Sequence, residues 1–378
     1  MQIRLPLLLI MLVAAGLIGG VLALTLVNSD DGSGDAVPVT PTGPTMATGP
    51  SETDTSADSA PDAVEIEGPL LGVNLTAYTV DGYAQPSVRK SIQELADLGS
   101  TAITLVPTWY MNSSSANRIA PNPQKSPSDQ SLSTVISWIR EAGMQVILKP
   151  HVDVIDDSYR GDIQPANRDT WFRSYGDFID HFASFSASNS VNLFVVGTEL
   201  KTMSSETDRW RAVIQTVRDR FSGPLTYAAN WDEVDQVQFW DDLDAIGVDA
   251  YYPLSQDTSK TPTLEELVTA WQGIAGQLQS KSDQWGRPIL LTEVGYPSQV
   301  GATVTPYQVT DQPADQNIQA LAYKATFQAL SGSEWLKGIS WWSWRADPGS
   351  DEKLDIDYPP TDKQAQQVLS DGQWMFQG

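Results

Sequence analysis

The sequence predicts an α/β protein, a (β/α)8 TIM barrel, over residues 68–378. Eight short, predominantly apolar runs in this region alternate with amphipathic stretches, and the runs lack a regular apolar–polar alternation. Such runs are typical of parallel strands that are covered on both faces. The runs are Leu70–Leu75, Ala102–Pro107, Gln145–Pro150, Leu193–Gly197, Leu225–Ala229, Ala245–Val248, Pro288–Leu291 and Gly338–Trp341. A doubly wound open sheet is the alternative, but no glycine-rich phosphate-binding loop follows the first run.

The stretches between the runs have the spacing of amphipathic helices. Apolar residues recur every three or four positions within 132–139, 210–217 and 264–278, and this period places them on one helix face. Further helices are predicted over 86–98, 169–187, 312–330 and 361–370, with a short one over 232–241. Regular alternation of strand and helix favours a closed barrel over an open sheet.

The N-terminal segment, residues 1–27, is predicted to be a signal anchor. Residues 5–27 carry no charge, and a helix of that length crosses a hydrocarbon core of about 30 Å. Arg4 precedes the segment, so we expect the N-terminus to lie inside and the rest of the chain to lie outside the cytoplasm. The alternative is a secretory signal peptide cleaved after Ala23. The predicted location is therefore extracytoplasmic, membrane-anchored by a single pass, or secreted if the segment is removed.

Residues 28–67 are predicted to be a disordered linker. They are rich in Ser, Thr, Pro and Gly, contain nine Asp and Glu residues and have no Lys or Arg. A segment of this composition buries too little apolar surface to offset the entropy of ordering. The chain is thus predicted to consist of an anchor, an acidic linker and one barrel domain.

Composition excludes several classes of function. The chain has no Cys, which excludes disulfides, thiolate catalysis and Cys-ligated metals. Its 23 Lys and Arg against 47 Asp and Glu give a net charge of −24, which disfavours nucleic-acid binding because the phosphate backbone is repelled. With two His residues there is little material for a His-rich metal site. We expect no cofactor, no metal and a monomer.

The predicted site lies at the C-terminal ends of the strands, where TIM barrels carry their chemistry. Carboxylates, amides and aromatic residues follow the apolar runs, which suits sugar binding and acid–base cleavage by two carboxyl groups. Glu199, Glu293, Asp153 and Asp249 are the candidates. Glu199 and Glu293 stand out because each ends an apolar strand, where burial opposes ionisation. The alternative for either glutamate is a helix cap or an ion pair with Arg345.

Seven motifs in order carry a resemblance to a known family. They are LGVNLTAY (71–78), LKPHVDVIDDSYRGDI (148–163), FVVGTEL (194–200), LTYAANWD (225–232), FWDDLDAIGVDAYYPL (239–254), LLTEVGYPS (290–298) and WWSWR (341–345). Over these motifs the sequence resembles glycoside hydrolase family 113, in the clan of retaining (β/α)8 glycosidases. The resemblance implies hydrolysis of β-1,4-mannan or manno-oligosaccharides.

The resemblance also implies roles for individual residues. Glu199 is expected to be the acid/base and Glu293 the nucleophile, with their carboxyl groups about 5–5.5 Å apart as in retaining enzymes. The implied sugar-binding residues are Asn74, Trp109, His151, Asp153, Asn230, Asp249, Tyr251, Tyr252 and Trp342. Either Tyr251 or Tyr252 is expected to hydrogen-bond the nucleophile. Thr198 stands where many relatives in the clan have Asn, which leaves Asn230 and His151 as candidates for the sugar 2-hydroxyl.

Three other functions are compatible with parts of the sequence. A retaining β-glycosidase acting on glucan or xylan would have the same catalytic pair. A barrel that binds surface glycans without cleaving them would keep the aromatic residues. A metal-dependent hydrolase is disfavoured because His181 falls on a predicted outer helix, which leaves His151 and Asp153 without a second histidine.

Overall fold

Eight parallel strands close into a barrel in the computed structural model, which describes residues 63–346 and 354–377. The barrel strands are β1 (Leu70–Thr76), β2 (Ala102–Leu105), β4 (Gln145–Leu148), β6 (Leu193–Thr198), β7 (Leu225–Asn230), β8 (Ala245–Asp249), β9 (Ile289–Val294) and β10 (Leu336–Arg345). They follow one another around the barrel in this order, and β10 closes it by pairing with β1. The predicted (β/α)8 TIM barrel is confirmed.

Two short strands lie beyond the barrel and were not predicted. They are β3 (Thr108–Met111) and β5 (His151–Val154), which pair in parallel as a separate two-stranded sheet. Each follows a barrel strand after an interruption that contains Pro107 or Pro150. Proline has no N–H to donate, so the hydrogen bonding between strands is interrupted there and starts again beyond the barrel. The second and third strands therefore extend the wall on one side of the barrel mouth.

Seven α-helices cover the described barrel. They are α1 (Pro86–Asp97), α2 (Asp129–Glu141), α3 (Arg168–Ser188), α4 (Thr207–Arg218), α5 (Leu264–Trp285), α6 (Gln316–Leu330) and α7 (Gln364–Gln377). The predicted helix over 232–241 is wrong, because turns and a short 3-10 helix, Trp240–Asp242, occupy this connection. The carboxylate of Glu233 accepts bonds from the Asn230 N–H and the Tyr227 hydroxyl, which closes a turn instead of starting a helix.

The described chain begins at the bottom of the barrel, opposite the strand ends that carry the site. Ile66 is buried there in a cluster with Leu70, Ile147 and Leu193, and the Val64 N–H donates to Asp244 at 2.6 Å. The predicted anchor, 1–27, and the predicted linker up to residue 62 lie outside the described residues. Within the described residues, no helix is both long and apolar enough to cross a membrane.

The barrel wall is tight at Gly72, and this predicts a stability effect. A Cβ at Gly72 would lie 1.8 Å from the carbonyl oxygen of Ala102 on the neighbouring strand. We expect Gly72→Ala to lower the free energy of unfolding by about 3 kcal/mol, because the two backbones must move apart. Chemical denaturation followed by circular dichroism measures the change.

Gly176→Ala is the matched control for this prediction. Gly176 lies within α3, and a Cβ built there has no heavy atom within 4 Å. The control is expected to raise the free energy of unfolding by about 0.5–1 kcal/mol, because alanine favours a helix interior over glycine. Equal stabilities for the two variants would contradict the close approach at Gly72.

Candidate active site

One cavity at the C-terminal ends of the strands contains both predicted catalytic glutamates. This central cavity has a volume of about 560 Å³. Its lining residues are Tyr159, Arg160, Glu199, Asn230, Trp231, Asp232, Tyr251, Glu293, Tyr307, Gln308, Trp342 and Tyr358. Aromatic rings, two amides and several carboxylates therefore surround a space open to solvent, which is a lining suited to a sugar.

Glu199 lies directly after β6 in a backbone conformation that is rare for its residue type. Its φ is 52°, in the left-handed region that costs a residue with a side chain about 1–3 kcal/mol. The Glu199 N–H donates to the Ala228 carbonyl at 2.8 Å, which ties this conformation to β7. Strained residues of this kind concentrate at functional sites, so the backbone supports a functional role for Glu199.

The Glu199 carboxyl group is buried and has one charged partner. It is 7% exposed, and its Oε2 accepts from Arg160 Nη1 at 2.9 Å. Burial raises the pKa of Glu199 to about 7, Arg160 opposes the rise and Glu293 adds to it. Because the burial effect outweighs the arginine, Glu199 is able to hold a proton near neutral pH.

Glu293 has a donor on each carboxylate oxygen. Lys149 Nζ lies 2.5 Å from Oε1, and the Tyr251 hydroxyl donates to Oε2 at 2.5 Å. His151 Nε2 lies 3.9 Å from Oε1. The site thus offers a proton holder at Glu199 and a firmly held carboxylate at Glu293.

The tyrosine at the end of β8 that contacts Glu293 is Tyr251. The sequence did not distinguish Tyr251 from Tyr252 as the partner of Glu293, and the structure places the two side chains on opposite sides of the chain. Tyr252 packs against Trp231 and Trp271, with ring centroids 5.6 and 6.3 Å apart. Consecutive residues in extended chain point to opposite faces, so Tyr251 contacts Glu293 and Tyr252 faces away from it.

Trp342 lines the central cavity, and a second predicted residue, His151, stacks behind it without reaching the cavity lining. Their rings stack with centroids 6.1 Å apart and an angle of 10° between planes. His151 is buried, and its Nε2 makes no hydrogen bond. Burial, with the nearby Arg160 and Lys149, lowers the pKa of His151 well below its ordinary value. A neutral imidazole with an unpartnered ring nitrogen therefore lies behind Trp342, 3.9 Å from Glu293 Oε1.

Asn230 lines the central cavity, whereas Asp153 lines a neighbouring one. The Asn230 amide donates to the Tyr159 hydroxyl at 2.8 Å. Asp153 accepts from Arg160 Nη2 at 2.6 Å and lines a neighbouring cavity of about 530 Å³ together with Tyr78. Arg160 lines both cavities, so one guanidinium joins the predicted acid/base to the neighbouring space.

The predicted sugar contacts of Asn74 and Asp249 need correction. Both residues are 0% exposed. The Asn74 amide donates to the Thr292 carbonyl oxygen at 3.0 Å inside the barrel. Asp249 accepts from Lys149 Nζ at 2.9 Å and from the Thr292 hydroxyl at 2.7 Å. Their side chains point into the barrel interior and lie beneath the cavity, where they support the site from below.

The predicted sugar contacts of Trp109 and Tyr252 stay predictions, and the observed ring contacts of both residues lie elsewhere. Trp109 packs on α3, with ring centroids 5.5 Å from Phe178 and 5.3 Å from His181. Tyr252 packs on tryptophan rings as described above, and neither residue lines the central cavity. In both cases the alternation of side chains along extended chain turns the ring toward a helix rather than toward the cavity.

Lys149 and Arg160 are functional residues that sequence analysis missed. Lys149 interrupts the apolar run before Pro150, and a charge at the end of a buried strand was the available signal. Arg160 begins a 3-10 turn, Arg160–Asp162, in the loop after β5. No periodicity predicts where a loop residue points, so only coordinates reveal its contact with Glu199.

The described residues contain no group of three or more His, Cys, Asp or Glu arranged to hold a metal ion. His181 lies on the outer side of the barrel, where its Nε2 is 3.1 Å from Asp129 Oδ1.

The fold and sequence match proteins of one enzyme family. Three solved structures of family 113 β-mannanases are similar to the chain. AaManA from Alicyclobacillus acidocaldarius, in complex with ManMIm, has 26% identity and a TM-score of 0.74, covering 82% of this chain and 98% of its own. Two others described as β-1,4-mannanases have 22% identity, TM-scores of 0.72 and 0.74, 82% and 81% coverage of this chain and 99% of their own.

No curated protein sequence matches the chain. The family model for Glycoside Hydrolase Family 113 matches residues 76–363, which is well over half of the chain and includes every residue of the site described above except Asn74. On that match, the chain belongs to glycoside hydrolase family 113 and is a glycoside hydrolase.

Proposed function

We propose that this protein cleaves β-1,4-mannosidic bonds in mannan or manno-oligosaccharides with retention of configuration. The observation that carries the proposal is the unequal environment of two glutamates in one cavity. Glu199 is buried with a pKa raised to about 7, whereas Glu293 has donors on both oxygens. Mannan is proposed because the similar structures of family 113 are described as β-mannanases.

The mechanism is a double displacement. In the first step a carboxylate oxygen of Glu293 attacks the anomeric carbon, the glycosidic bond breaks, and Glu199 gives its proton to the leaving oxygen. In the second step Glu199 takes a proton from water, the water oxygen attacks the anomeric carbon, and the bond to Glu293 breaks. The electron pair of that bond returns to Glu293, and both residues regain their starting charge.

His151 is the better of the two proposed contacts for the sugar 2-hydroxyl. Its unpartnered Nε2 lies 3.9 Å from Glu293 Oε1, and the 2-hydroxyl is adjacent to the anomeric carbon that Glu293 attacks. The Asn230 amide is already engaged by Tyr159. Mannose and glucose differ only at this hydroxyl, so a polar group beside the nucleophile would distinguish them.

Substitution of each glutamate tests the catalytic pair. We expect the protein to release new reducing ends from β-1,4-mannan, with little release from xylan or cellulose. Glu199→Gln and Glu293→Gln are each expected to lower kcat/KM by about 10²–10⁴-fold, because one loses the proton donor and the other the nucleophile. Reducing-sugar assays measure the rates, and NMR of the first products is expected to give the β-anomer.

Glu334→Gln is the matched control, because Glu334 is exposed and precedes β10 at the opposite end of the barrel. It should keep the activity of the unmodified protein. Release from xylan or glucan instead of mannan would reassign the substrate. Binding of mannan without any new reducing ends would identify a glycan-binding barrel, and a first product with the α-configuration would contradict retention.

The pH dependence of activity tests Glu199 as the acid. Because the protonated form is required, kcat/KM on mannan is expected to fall as the pH rises through about 7. Arg160 lowers the pKa of Glu199, so Arg160→Met is expected to move this fall to higher pH. Arg160→Lys keeps the positive charge and should leave the pH at which kcat/KM falls nearly unchanged. A fall that moves to lower pH in Arg160→Met would contradict the assignment.

We propose that the enzyme works outside the cytoplasm, held to the membrane by residues 5–27. The uncharged length of that segment supports the proposal. The full chain is expected to stay in the membrane fraction after a carbonate wash, whereas a chain starting at residue 28 should be released. When the full chain is expressed, recovery in the medium of a product that begins near residue 24 would instead indicate a cleaved signal peptide.

A further inference from the structure

We propose that Lys149 is a positioning residue for Glu293, whose ammonium group stabilises the carboxylate that re-forms when the covalent glycosyl–enzyme breaks down. The inference rests on the double displacement proposed above and assigns one of its two steps to a particular contact. Lys149 is absent from the lining of the central cavity, so it reaches Glu293 from the barrel interior and has no predicted contact with the sugar.

Lys149 is held in place by the barrel itself. It follows β4 directly, and its N–H donates to the Leu105 carbonyl at 2.9 Å. Its side chain is 0% exposed, and its Nζ lies 2.5 Å from Glu293 Oε1 and 2.9 Å from Asp249 Oδ1. A lysine with no access to water must satisfy its charge inside the protein, and these two carboxyl groups do so.

The two carboxyl partners of Lys149 are not equivalent. Burial first, and the nearby charge of Glu293 second, raise the pKa of Asp249 well above its ordinary value. Lys149 Nζ also lies closer to Glu293 Oε1, at 2.5 Å, than to Asp249 Oδ1, at 2.9 Å, so its positive charge acts more strongly on Glu293. Asp249 also accepts from the Thr292 hydroxyl at 2.7 Å, so it acts as a fixed anchor for the lysine.

The charge on Glu293 changes in opposite directions in the two steps. When Glu293 forms the ester it loses its negative charge, and the attraction to Lys149 weakens. When water attacks and the ester bond breaks, the electron pair returns to Glu293 and the attraction is restored. An ammonium fixed at hydrogen-bond distance in a water-poor interior favours the state with the charge. Loss of Lys149 should therefore slow the second step more than the first.

A purely structural lysine would behave differently. If Lys149 only filled the barrel interior, its removal would lower stability and slow both steps together, with no build-up of the ester. The order in which products leave distinguishes the two cases, because the leaving group is released in the first step and the sugar in the second.

The test uses a dinitrophenyl β-mannobioside, whose good leaving group needs no proton from Glu199. With Lys149→Met we expect a rapid burst of about one equivalent of dinitrophenol, followed by turnover about 10–100-fold slower than in the unmodified protein, the size expected for losing a hydrogen bond to a charged group. Intact mass spectrometry should then detect the protein carrying one mannobiosyl group. Lys149→Arg, which keeps the charge, should recover much of the turnover.

The remaining outcomes overturn either the role of Lys149 or the proposed function. Slower turnover of Lys149→Met without a burst or a mass increase, or unchanged turnover, overturns the role of Lys149. If the methionine variant does not fold, Lys149→Gln, which is polar but uncharged, is tested against the same criteria. Absence of any cleavage by the unmodified protein, or full cleavage by Glu293→Gln, overturns the proposed function itself, so the two failures are distinguishable.

Discussion

Buried negative charge is the constraint on which this active site depends. Glu199 and Glu293 are 7% and 3% exposed, and a carboxylate withdrawn from water is costly unless donors replace its hydration. Lys149 and Tyr251 supply those donors to Glu293, and Arg160 supplies them to Glu199. Three donor side chains, Lys149, Tyr251 and Arg160, therefore hold the two glutamates at the rim of the barrel.

The barrel places these donors through its strand order and register. β4 and β9 lie opposite each other in the ring of eight, so Lys149 at the end of β4 spans the interior to reach Glu293. Register sets Asp249 of β8 beside Glu293 of β9 and Asn230 of β7 beside Asp249. Polar residues of neighbouring strands thus lie at the same depth, and Asp249 is held there by Lys149 and Thr292.

The barrel and its eight strands were predictable because apolar runs alternate with amphipathic stretches. Glu199 and Glu293 were singled out because each ends one of these runs. The sequence did not predict which side of a strand end faces the cavity. Trp109 lies beyond a proline interruption, where counting alternation from the barrel strand no longer works, and the ring packs on α3. Asn74 follows the pattern of β1 but bonds within the interior. Arg160 comes from a loop, whose path depends on tertiary contacts.

The environments of the two glutamates support their proposed roles without reference to the family. A nucleophile must be ionised and aimed, and Glu293 has a charged donor on one oxygen and a hydroxyl donor on the other. A general acid must hold a proton at working pH, and Glu199 is protected by burial that outweighs its one arginine. That arginine is also bound by Asp153, which draws part of its charge away from Glu199. Sharing Arg160 between two carboxyl groups therefore keeps the acid oriented without forcing it to ionise.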